Sequence, residues 1–425
     1  RDRGRPSSWS ATVDRLAADS DGAGAFPRLI VLAAGNTREH IAWMDYPASL
    51  STNLIHDPGQ SWNAVTVGAY TDKIETETVG VSAIAAGGGL SPFTTTSRTW
   101  DSAWPLKPDV VLEGGNVGKD AFGAAGLPSL NLLTTHHRPH DRIFTTTNAT
   151  SAASALCARM AAQLMAAYPS LRPETLRALL VHSAEWTPAM REMFLPKGKK
   201  PTKQDYVNLI RHCGWGVPDL DRALWSASHS LTLVVEDVLH PYAKEKGRGV
   251  VTRHMNLHAL PWPREELEAL QDAKVQMRVT LSYFIEPNPS ARGTSSKFHY
   301  PSHRLRLDVQ RPLDASTEDF VARVNAAATR EDEGDPVEPK DPDWYLGDRQ
   351  RHRGSLHQDV WQGTAADLAS RGFIAVYPST GWWRTRPALE RYDLPVRYSL
   401  VVSLRTEQIE VDLYNAITQK IAIAT

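Results

Sequence analysis

Short apolar runs alternate with helix-like patterns in the first half of the chain. The runs are continuous, which is typical of strands buried on both faces of a parallel sheet, and they cover residues 29–34, 64–69 and 108–112. Apolar residues at helical spacing predict helices at 7–18, 151–167 and 173–184. Because strands and helices alternate along the chain, the pattern predicts a layered α/β domain.

The pattern changes after about residue 228. Apolar and polar residues then alternate one by one, which predicts antiparallel strands with one solvated face at 275–281, 305–309, 396–402 and 409–413. A helix is predicted at 317–327, and the charged stretch 329–354 is predicted to be a loop. The sequence therefore predicts an α/β domain over residues 1–228 and a β-sandwich-like domain over residues 229–425.

Composition narrows the class of protein. The chain has 425 residues, enough for two or three domains, and its formal net charge of −1 gives no reason to expect binding to nucleic acid or to an anionic membrane. No apolar run reaches the length of about 18 residues that a transmembrane helix needs. Cys157 and Cys213 are the only cysteines, so no disulfide framework is expected and a cytoplasmic location is favoured.

Two polar residues stand where chemistry is favoured in an α/β domain. Ser151 lies at the start of a helix, where the dipole is positive and a backbone amide can bind an anion, although a serine at such a place can also be a simple helix cap. Asn36 follows the first buried strand through Gly35, at the sheet edge where α/β proteins place their sites, although Gly-Asn is also common in plain turns.

Four segments, in this order, resemble the subtilisin-like serine proteases (subtilases). They are Ala-Ala-Gly-Asn at 33–36, Leu-Lys-Pro-Asp-Val-Val at 106–111, Ala-Thr-Ser-Ala-Ala-Ser at 149–154 and Gly-Trp-Gly-Val-Pro-Asp-Leu at 214–220. The resemblance implies that this α/β domain, incomplete at its N-terminus, has a subtilisin-like fold and hydrolyses peptide bonds of a protein or peptide substrate.

The resemblance also implies residue roles. Ser151 would be the nucleophile, and the side chain of Asn36 with the backbone N–H of Ser151 would stabilise the oxyanion. Ala33, Ala34 and Gly35 would line one wall of the pocket for the substrate side chain that precedes the cut. Ala149 stands where the family has glycine, so a positive φ there would carry strain of about 1 kcal/mol or more.

Two members of the catalytic triad, Asp and His, have no match in this chain. The family places its Asp and His before the oxyanion asparagine, but the first histidine here is His40, and no Asp-Ser/Thr-Gly or His-Gly-Thr segment occurs. We therefore expect that an upstream segment or a separate chain supplies Asp and His. The first residues also resemble large bacterial subtilases, some of them encoded beside an AAA-type ATPase, which makes such an ATPase a further expected partner.

Two alternatives remain open. The lack of His and Asp is also compatible with a proteolytically silent subtilase-fold module that binds or scaffolds. The loop residues His136, His137, His140 and Asp141 contain enough ligands for a zinc or nickel ion, but their spacing lacks helical geometry, so a polar loop is favoured. No cofactor or metal is assigned; calcium is implied by the family for some members, but no calcium-ligating motif is present.

Overall fold

The computed structural model of the chain describes residues 3–22, 24–228, 232–290, 296–332 and 341–406. The chain divides into two compact units between Ala223 and Leu224. This division lies five residues before the predicted end of the first domain at residue 228. No helix in the described ranges combines the length and apolar character needed to cross a bilayer.

The first unit is built from helices and short strands. Its helices, in the described residues, are α1 (Ser8–Ala18), α2 (His40–Met44), α3 (Ala149–Ala167), α4 (Pro173–His182), α5 (Pro188–Phe194), α6 (Lys203–Cys213) and α7 (Leu220–Ser228), which runs across the division between the units. The strands are β1 (Val31–Ala33), β2 (Val65–Thr71), β3 (Ser82–Ala83), β4 (Gly89–Leu90), β5 (Val110–Glu113), β6 (Gly118–Lys119), β7 (Ala124–Ala125), β8 (Leu132–Thr135) and β9 (Phe144–Thr147).

A parallel sheet forms the centre of the first unit. Strand β2 pairs in parallel with β1 on one side and β5 on the other, with Val31 opposite Val65 and Val67 opposite Val110. Helix α3 packs on all three strands. The first unit thus has the α/β fold with a parallel sheet that the apolar runs predict.

The prediction that the first strand is buried on both faces is wrong. All three residues of β1 are only half-buried, whereas six of the seven residues of β2 are buried. The physical reason is that β1 has a single sheet partner, β2, among the described residues. Its second edge is therefore bare in this part of the chain.

A buried ion pair joins β5 to β2. The Nζ of Lys107 lies 2.6 Å from Oδ2 of Asp109, and the two side chains are 2% and 5% exposed. Lys107 also donates to the carbonyl of Ala64, and Asp109 accepts from the backbone N–H of Thr66. Because each charge has both a counter-charge and a backbone partner, the pair is compatible with burial and fixes the register of the two strands.

Helix α3 begins in a strained conformation. Ala149 has φ = 64°, in the left-handed region that favours glycine. Its methyl group is buried in an apolar cluster whose other members are Trp43, Phe93, Val117 and Ala124. Packing of the methyl group therefore offsets part of the backbone strain, which explains how alanine is tolerated here.

The second unit contains antiparallel sheets and short helices. Its strands are β10 (Thr232–Leu239), β11 (Tyr242–Glu245), β12 (Gly249–Thr252), β13 (Asn256–Ala259), β14 (Lys274–Tyr283), β15 (Arg304–Val309), β16 (Leu356–Thr364), β17 (Phe373–Ser379) and β18 (Val396–Thr406). Its helices are α8 (Arg264–Ala269), α9 (Thr317–Asp332), α10 (Asp348–Arg351), α11 (Ala365–Ala369) and α12 (Trp382–Thr385).

Two larger sheets and a hairpin organise these strands. One sheet has the order β10-β18-β14-β16, the second has the order β13-β17-β15, and β11 pairs with β12. Three of the four strands predicted from alternation are present, and the fourth, at 409–413, lies outside the described residues. The loop predicted at 329–354 is partly wrong, because α9 continues to Asp332 and α10 begins at Asp348. A β-sandwich stays a prediction.

Three histidines lie inside the second unit. The ring of Tyr283 is 5.5 Å from the rings of His303 and His357, and the ring of His352 is 5.3 Å from that of His357. The Nε2 of His352 accepts a hydrogen bond from the backbone N–H of Leu307, so this imidazole is neutral and carries its proton on Nδ1. His352 is thus an uncharged imidazole in the interior of this unit.

Burial lowers the pKa of two of these groups, His303 and His352. The pKa of His303 falls to about 3 because its ring is fully desolvated. The pKa of His352 is lowered well below its ordinary value, first by burial and then by nearby positive groups, which are Arg306, His357, Arg351 and Arg304. Protonation of either ring would therefore oppose folding.

We expect Ala149→Val to lower the free energy of unfolding by at least about 2 kcal/mol, because a β-branched residue fits poorly at a positive φ. Ala149→Gly should change it by less than about 1 kcal/mol, since relief of strain is offset by lost packing and chain entropy. Urea unfolding measures both values. Ala166→Val, at an exposed position of α3, is the control, and equal losses at the two positions would argue against strain at residue 149.

We expect His303→Gln to make stability less dependent on pH. The pKa of His303 is lower in the folded than in the unfolded chain, so its contribution is fully present above about pH 6.5 and is lost as the pH falls. Between pH 7 and pH 5 the unchanged protein should lose about 2 kcal/mol relative to the variant. Urea unfolding at both pH values measures the difference. His299→Gln, at an exposed histidine, should follow the unchanged protein.

Candidate functional site

The segment after β1 carries the first candidate residue into a tightly fixed turn. Gly35 has φ = 108°, and a Cβ added there would lie 2.5 Å from Cγ of His56, so both backbone conformation and space require glycine. On either side, the N–H of Ala34 donates to Val67 and the N–H of Thr37 donates to Phe93. The side chain of Asn36 therefore leaves a backbone that is held from both sides.

Thr150 joins this turn to the start of α3. Its hydroxyl lies 2.7 Å from Oδ1 of Asn36, 3.0 Å from the carbonyl oxygen of Gly35 and 3.2 Å from the backbone nitrogen of Gly35. Its backbone N–H also donates to Oδ1 of Asn36 at 3.0 Å. Thr150 is completely buried, so these bonds form away from water.

These bonds fix the orientation of the Asn36 amide. A backbone N–H can only donate, so the atom of Asn36 that faces Thr150 must be the carbonyl oxygen Oδ1. The amide nitrogen Nδ2 therefore faces the other way. It has no hydrogen-bond partner among the described residues, and the side chain is only half-buried, so its two protons are available to a ligand.

Ser151 follows Thr150 and carries the next available donor. In the first turn of a helix the backbone N–H groups have no intrahelical acceptor. The N–H of Ala149 donates to the carbonyl of Gly114 and that of Thr150 donates to Asn36, so the N–H of Ser151 is the first one that no described residue binds. The residue is exposed, and its hydroxyl has no partner in the described ranges.

The structure thus brings the two predicted residues, Ser151 and Asn36, to one place. Ala33 and Gly35 of the predicted pocket wall are half-buried beside them, whereas Ala34 is fully buried. The backbone carbonyl of Ala34 accepts from the N–H of His56, and the role of Ala33, Ala34 and Gly35 as a pocket wall stays a prediction.

A cleft of about 550 Å³ adjoins this turn, and sequence reasoning missed part of its lining. Besides Gly35, Asn36 and Thr37 it is lined by residues that no motif singles out: Arg38, Glu39, Asn53 and His56. The two last residues come from a loop 17 to 20 positions further along the chain, so only the tertiary structure shows that they reach the turn.

Other nucleophile and triad candidates are occupied elsewhere. The buried carboxylate of Asp14 accepts hydrogen bonds from Ser61, Trp62 and Asn63, and so has a structural role. The Nδ1 of His40 lies 2.6 Å from the carbonyl oxygen of Ala124. No histidine is hydrogen-bonded to Ser151 in the described part of the chain, so this chain does not itself show a base for the serine.

The two cysteines are not reactive groups. Cys157 and Cys213 are free and buried. Burial raises the pKa of the Cys157 thiol to about 12, and it raises the pKa of Cys213 well above its ordinary value. Both stay protonated at neutral pH, so neither competes with the serine as a nucleophile.

The histidine-rich loop shows no metal-binding arrangement. The rings of His136 and His137 lie 4.3 Å apart, and His136 binds the backbone of Arg138. Within the ranges that the structure describes, no group of three or more His, Cys, Asp or Glu side chains could hold a metal ion. The favoured interpretation of this segment as a polar loop stays a prediction.

Comparison with known proteins identifies the family. Residues 1–216 match the family model described as the subtilase family (Peptidase_S8). An uncharacterized protein, y4bN, from Sinorhizobium fredii is 27% identical over 76% of this chain and 76% of its own length.

Solved structures of proteases are also similar to parts of the chain. A protease from Pseudoalteromonas arctica is 17% identical with a TM-score of 0.29, over 52% of this chain and 48% of that one. MycP1 from Mycobacterium smegmatis is 16% identical with a TM-score of 0.25, over 50% and 44%. The chain therefore spans about half the length of these proteins, and such low scores carry no argument about its activity.

The family model covers half of the chain, and it spans the parallel sheet, the Asn36 turn and the start of α3. This chain belongs to the subtilase family of serine peptidases.

Proposed function

We propose that this chain belongs to a serine endopeptidase in which Ser151 attacks the scissile carbonyl and forms an acyl-enzyme. Two hydrogen-bond donors support this proposal best. They are Nδ2 of Asn36 and the N–H of Ser151, which have no acceptor among the described residues and lie on two segments joined by Thr150. Two donors fixed in advance beside a nucleophile are what a tetrahedral oxyanion requires. The backbone of Ala33 to Gly35 would form one wall for the bound substrate.

The position of the serine suits this role. The N-terminus of α3 carries a partial positive charge, which favours an anion at Ser151. Thr150 would act as a positioning residue, because its two bonds to Oδ1 hold the Asn36 amide with Nδ2 towards the substrate. None of these groups has to move when charge develops on the carbonyl oxygen, so little reorganisation is needed.

The catalytic base and its orienting acid would come from a companion segment. A bare face of α3 supports this part of the proposal. The exposed residues of this face repeat at helical spacing and are Ser151, Ala155, Ala158, Ala162 and Met165. Arg159 is the only charged residue of the whole helix. A helix that is apolar on nearly all sides is normally buried on all sides.

The unpaired edge of strand β1 also supports a companion segment. Strand β1 is half-exposed and has a single sheet partner among the described residues, and α3 packs on this strand. A further strand paired with β1, and a layer against α3, would cover both features at once. We therefore propose a segment of the same protease, carrying Asp and His, as the occupant.

The alternative is a silent module that binds or scaffolds. It is favoured only by the lack of a hydrogen-bonded base in the described residues. Against it stands the exposed hydroxyl of Ser151, which binds no group in the described ranges and does not cap α3, whose N-cap is Asn148. Labelling of the serine separates the two functions.

In the complete protease, a fluorophosphonate probe should label this chain, and Ser151→Ala should abolish labelling. Asn36→Ala should lower kcat by about 10²–10³-fold, which is the loss known for one oxyanion donor in subtilisin itself. Thr150→Val, which keeps the shape but removes the hydroxyl, should lower kcat by about 10-fold and leave KM nearly unchanged. Ser170→Ala, at an exposed serine beyond the end of α3, is the control.

Labelling that persists in Ser151→Ala would exclude Ser151 as the nucleophile. An intact protein that neither takes up the probe nor cleaves peptides would instead support the silent module.

The companion segment can be tested by co-expression of this chain with the proposed segment of the same protease that carries Asp and His. Ala158→Glu places a charge in the bare face of α3 and should reduce recovery of the complex by at least about 10-fold, since a charge would be buried without a partner. Gln163→Glu, at an exposed position on another side of α3, should leave recovery unchanged. Normal assembly of Ala158→Glu would show that this face does not contact a companion.

A further inference from the structure

The cleft beside Asn36 has a polar lining. It is formed by residues 35–39, Asn53 and His56, and none of these seven has an aliphatic or phenyl side chain. The cleft volume of about 550 Å³ is large enough for one long side chain with its water.

The cleft lies where a substrate side chain has to go. If Nδ2 of Asn36 binds the scissile carbonyl oxygen, the Cα that precedes the cut is one bond from that carbonyl carbon. Its side chain must then enter space directly beside Asn36. Gly35 and Asn36 both line the cleft, so the cleft is the adjoining space on this side of the turn.

The floor of the cleft is rigid. The ring of His56 fills the space that a side chain at position 35 would need, and its backbone N–H donates to Ala34 at 2.8 Å. On the next residue towards the N-terminus, the N–H of Ile55 donates to Thr96 at 3.0 Å. A floor held by backbone hydrogen bonds to two neighbouring segments cannot rearrange easily to suit another substrate.

Asn53 supplies a fixed acceptor. Its Nδ2 donates to the carbonyl of Ser49 at 2.9 Å, and its own backbone carbonyl accepts from the N–H of Thr96 at 2.9 Å. The side-chain oxygen Oδ1 of Asn53 accepts no hydrogen bond in the described ranges, so it is available as an acceptor. At the rim, Arg38 and Glu39 are exposed and form no ion pair with any described residue.

We propose that this cleft selects substrates with a polar, hydrogen-bonding side chain before the cleaved bond, and that Asn53 and His56 determine this specificity. The inference rests on the proposed function, because it requires Ser151 and Asn36 to bind a scissile carbonyl. An aliphatic side chain would displace water from the floor without replacing its hydrogen bonds, whereas a polar side chain would replace them. Sites that are built to hydrogen-bond a side chain reject analogues that cannot do so.

The experiment uses the complete protease and fluorogenic peptides that differ only in the residue before the cleaved bond, which is Gln, Lys, Glu, Leu or Phe. We expect kcat/KM for at least one polar peptide to exceed that for Leu and Phe by about 10-fold or more. Asn53→Leu and His56→Leu should reduce this ratio towards one. Asp57→Asn, an exposed neighbour that does not line the cleft, should preserve it.

The three polar peptides distinguish the contributions of the rim. A preference for Lys that Glu39→Gln removes would identify the glutamate as the selecting charge, and a preference for Glu that Arg38→Gln removes would identify the arginine. A preference for Gln that survives both changes would assign selection to the floor. Each of these results supports a polar cleft, but only the last supports Asn53 and His56 as its cause, and either of the first two would overturn that assignment.

Two results would overturn the inference, and they differ from failure of the proposed function. Preferred cleavage after Leu or Phe by a protein whose Ser151 takes up fluorophosphonate would reject the polar cleft alone. A polar preference unchanged in both Asn53→Leu and His56→Leu would reject the two residues as its cause. Failure of the unchanged protein to take up the probe would reject the proposed function and, with it, this inference.

Discussion

The candidate site depends on the hydrogen bonds that Thr150 makes to the turn after β1. They connect residues more than 110 positions apart in the chain. Because they are buried, each would be costly to leave unmade, so the helix and the turn hold each other in place. This buried contact fixes the positions of two more exposed groups, which are Ser151 and the amide nitrogen of Asn36. The proposed catalytic groups are thus oriented by a residue that is itself fully buried.

One side of α3 is buried against the first unit, and the opposite side is exposed. Its buried side includes Cys157, Ala161 and Leu164, and it rests on the parallel sheet. The bare side carries small apolar residues and the candidate nucleophile. The candidate nucleophile and the exposed apolar residues therefore lie on the same face of α3. The companion segment proposed to cover this face would also reach the serine.

Much of the first unit could be predicted from the sequence, because its signals are local. Continuous apolar runs gave the parallel strands, and Gly35 and Asn36 mark a strand end whatever the rest of the fold does. The contribution of Asn53 and His56 could not be predicted, since it depends on a loop that returns to the turn through long-range backbone bonds. The exposure of β1 was also missed, because burial depends on neighbours that an apolar pattern does not specify. In the second unit, alternation predicted strands but not which strands pair, and charged residues at 329–332 concealed the end of α9.

The hydrogen bond between Gly114 and Ala149 affects where the chain can tolerate insertions and deletions. The backbone N–H of Ala149 donates to the carbonyl of Gly114 at 2.6 Å, so the chain leaves the end of β5 and returns to the same point 35 residues later. The segment between them is itself anchored, because β6 pairs with β3 and both Val117 and Leu130 are fully buried, but the tip of the β8–β9 hairpin at residues 136–143 is mostly exposed. Insertions or deletions at that tip can therefore alter the outer surface without moving Ser151, since loop closure costs little more for a longer loop.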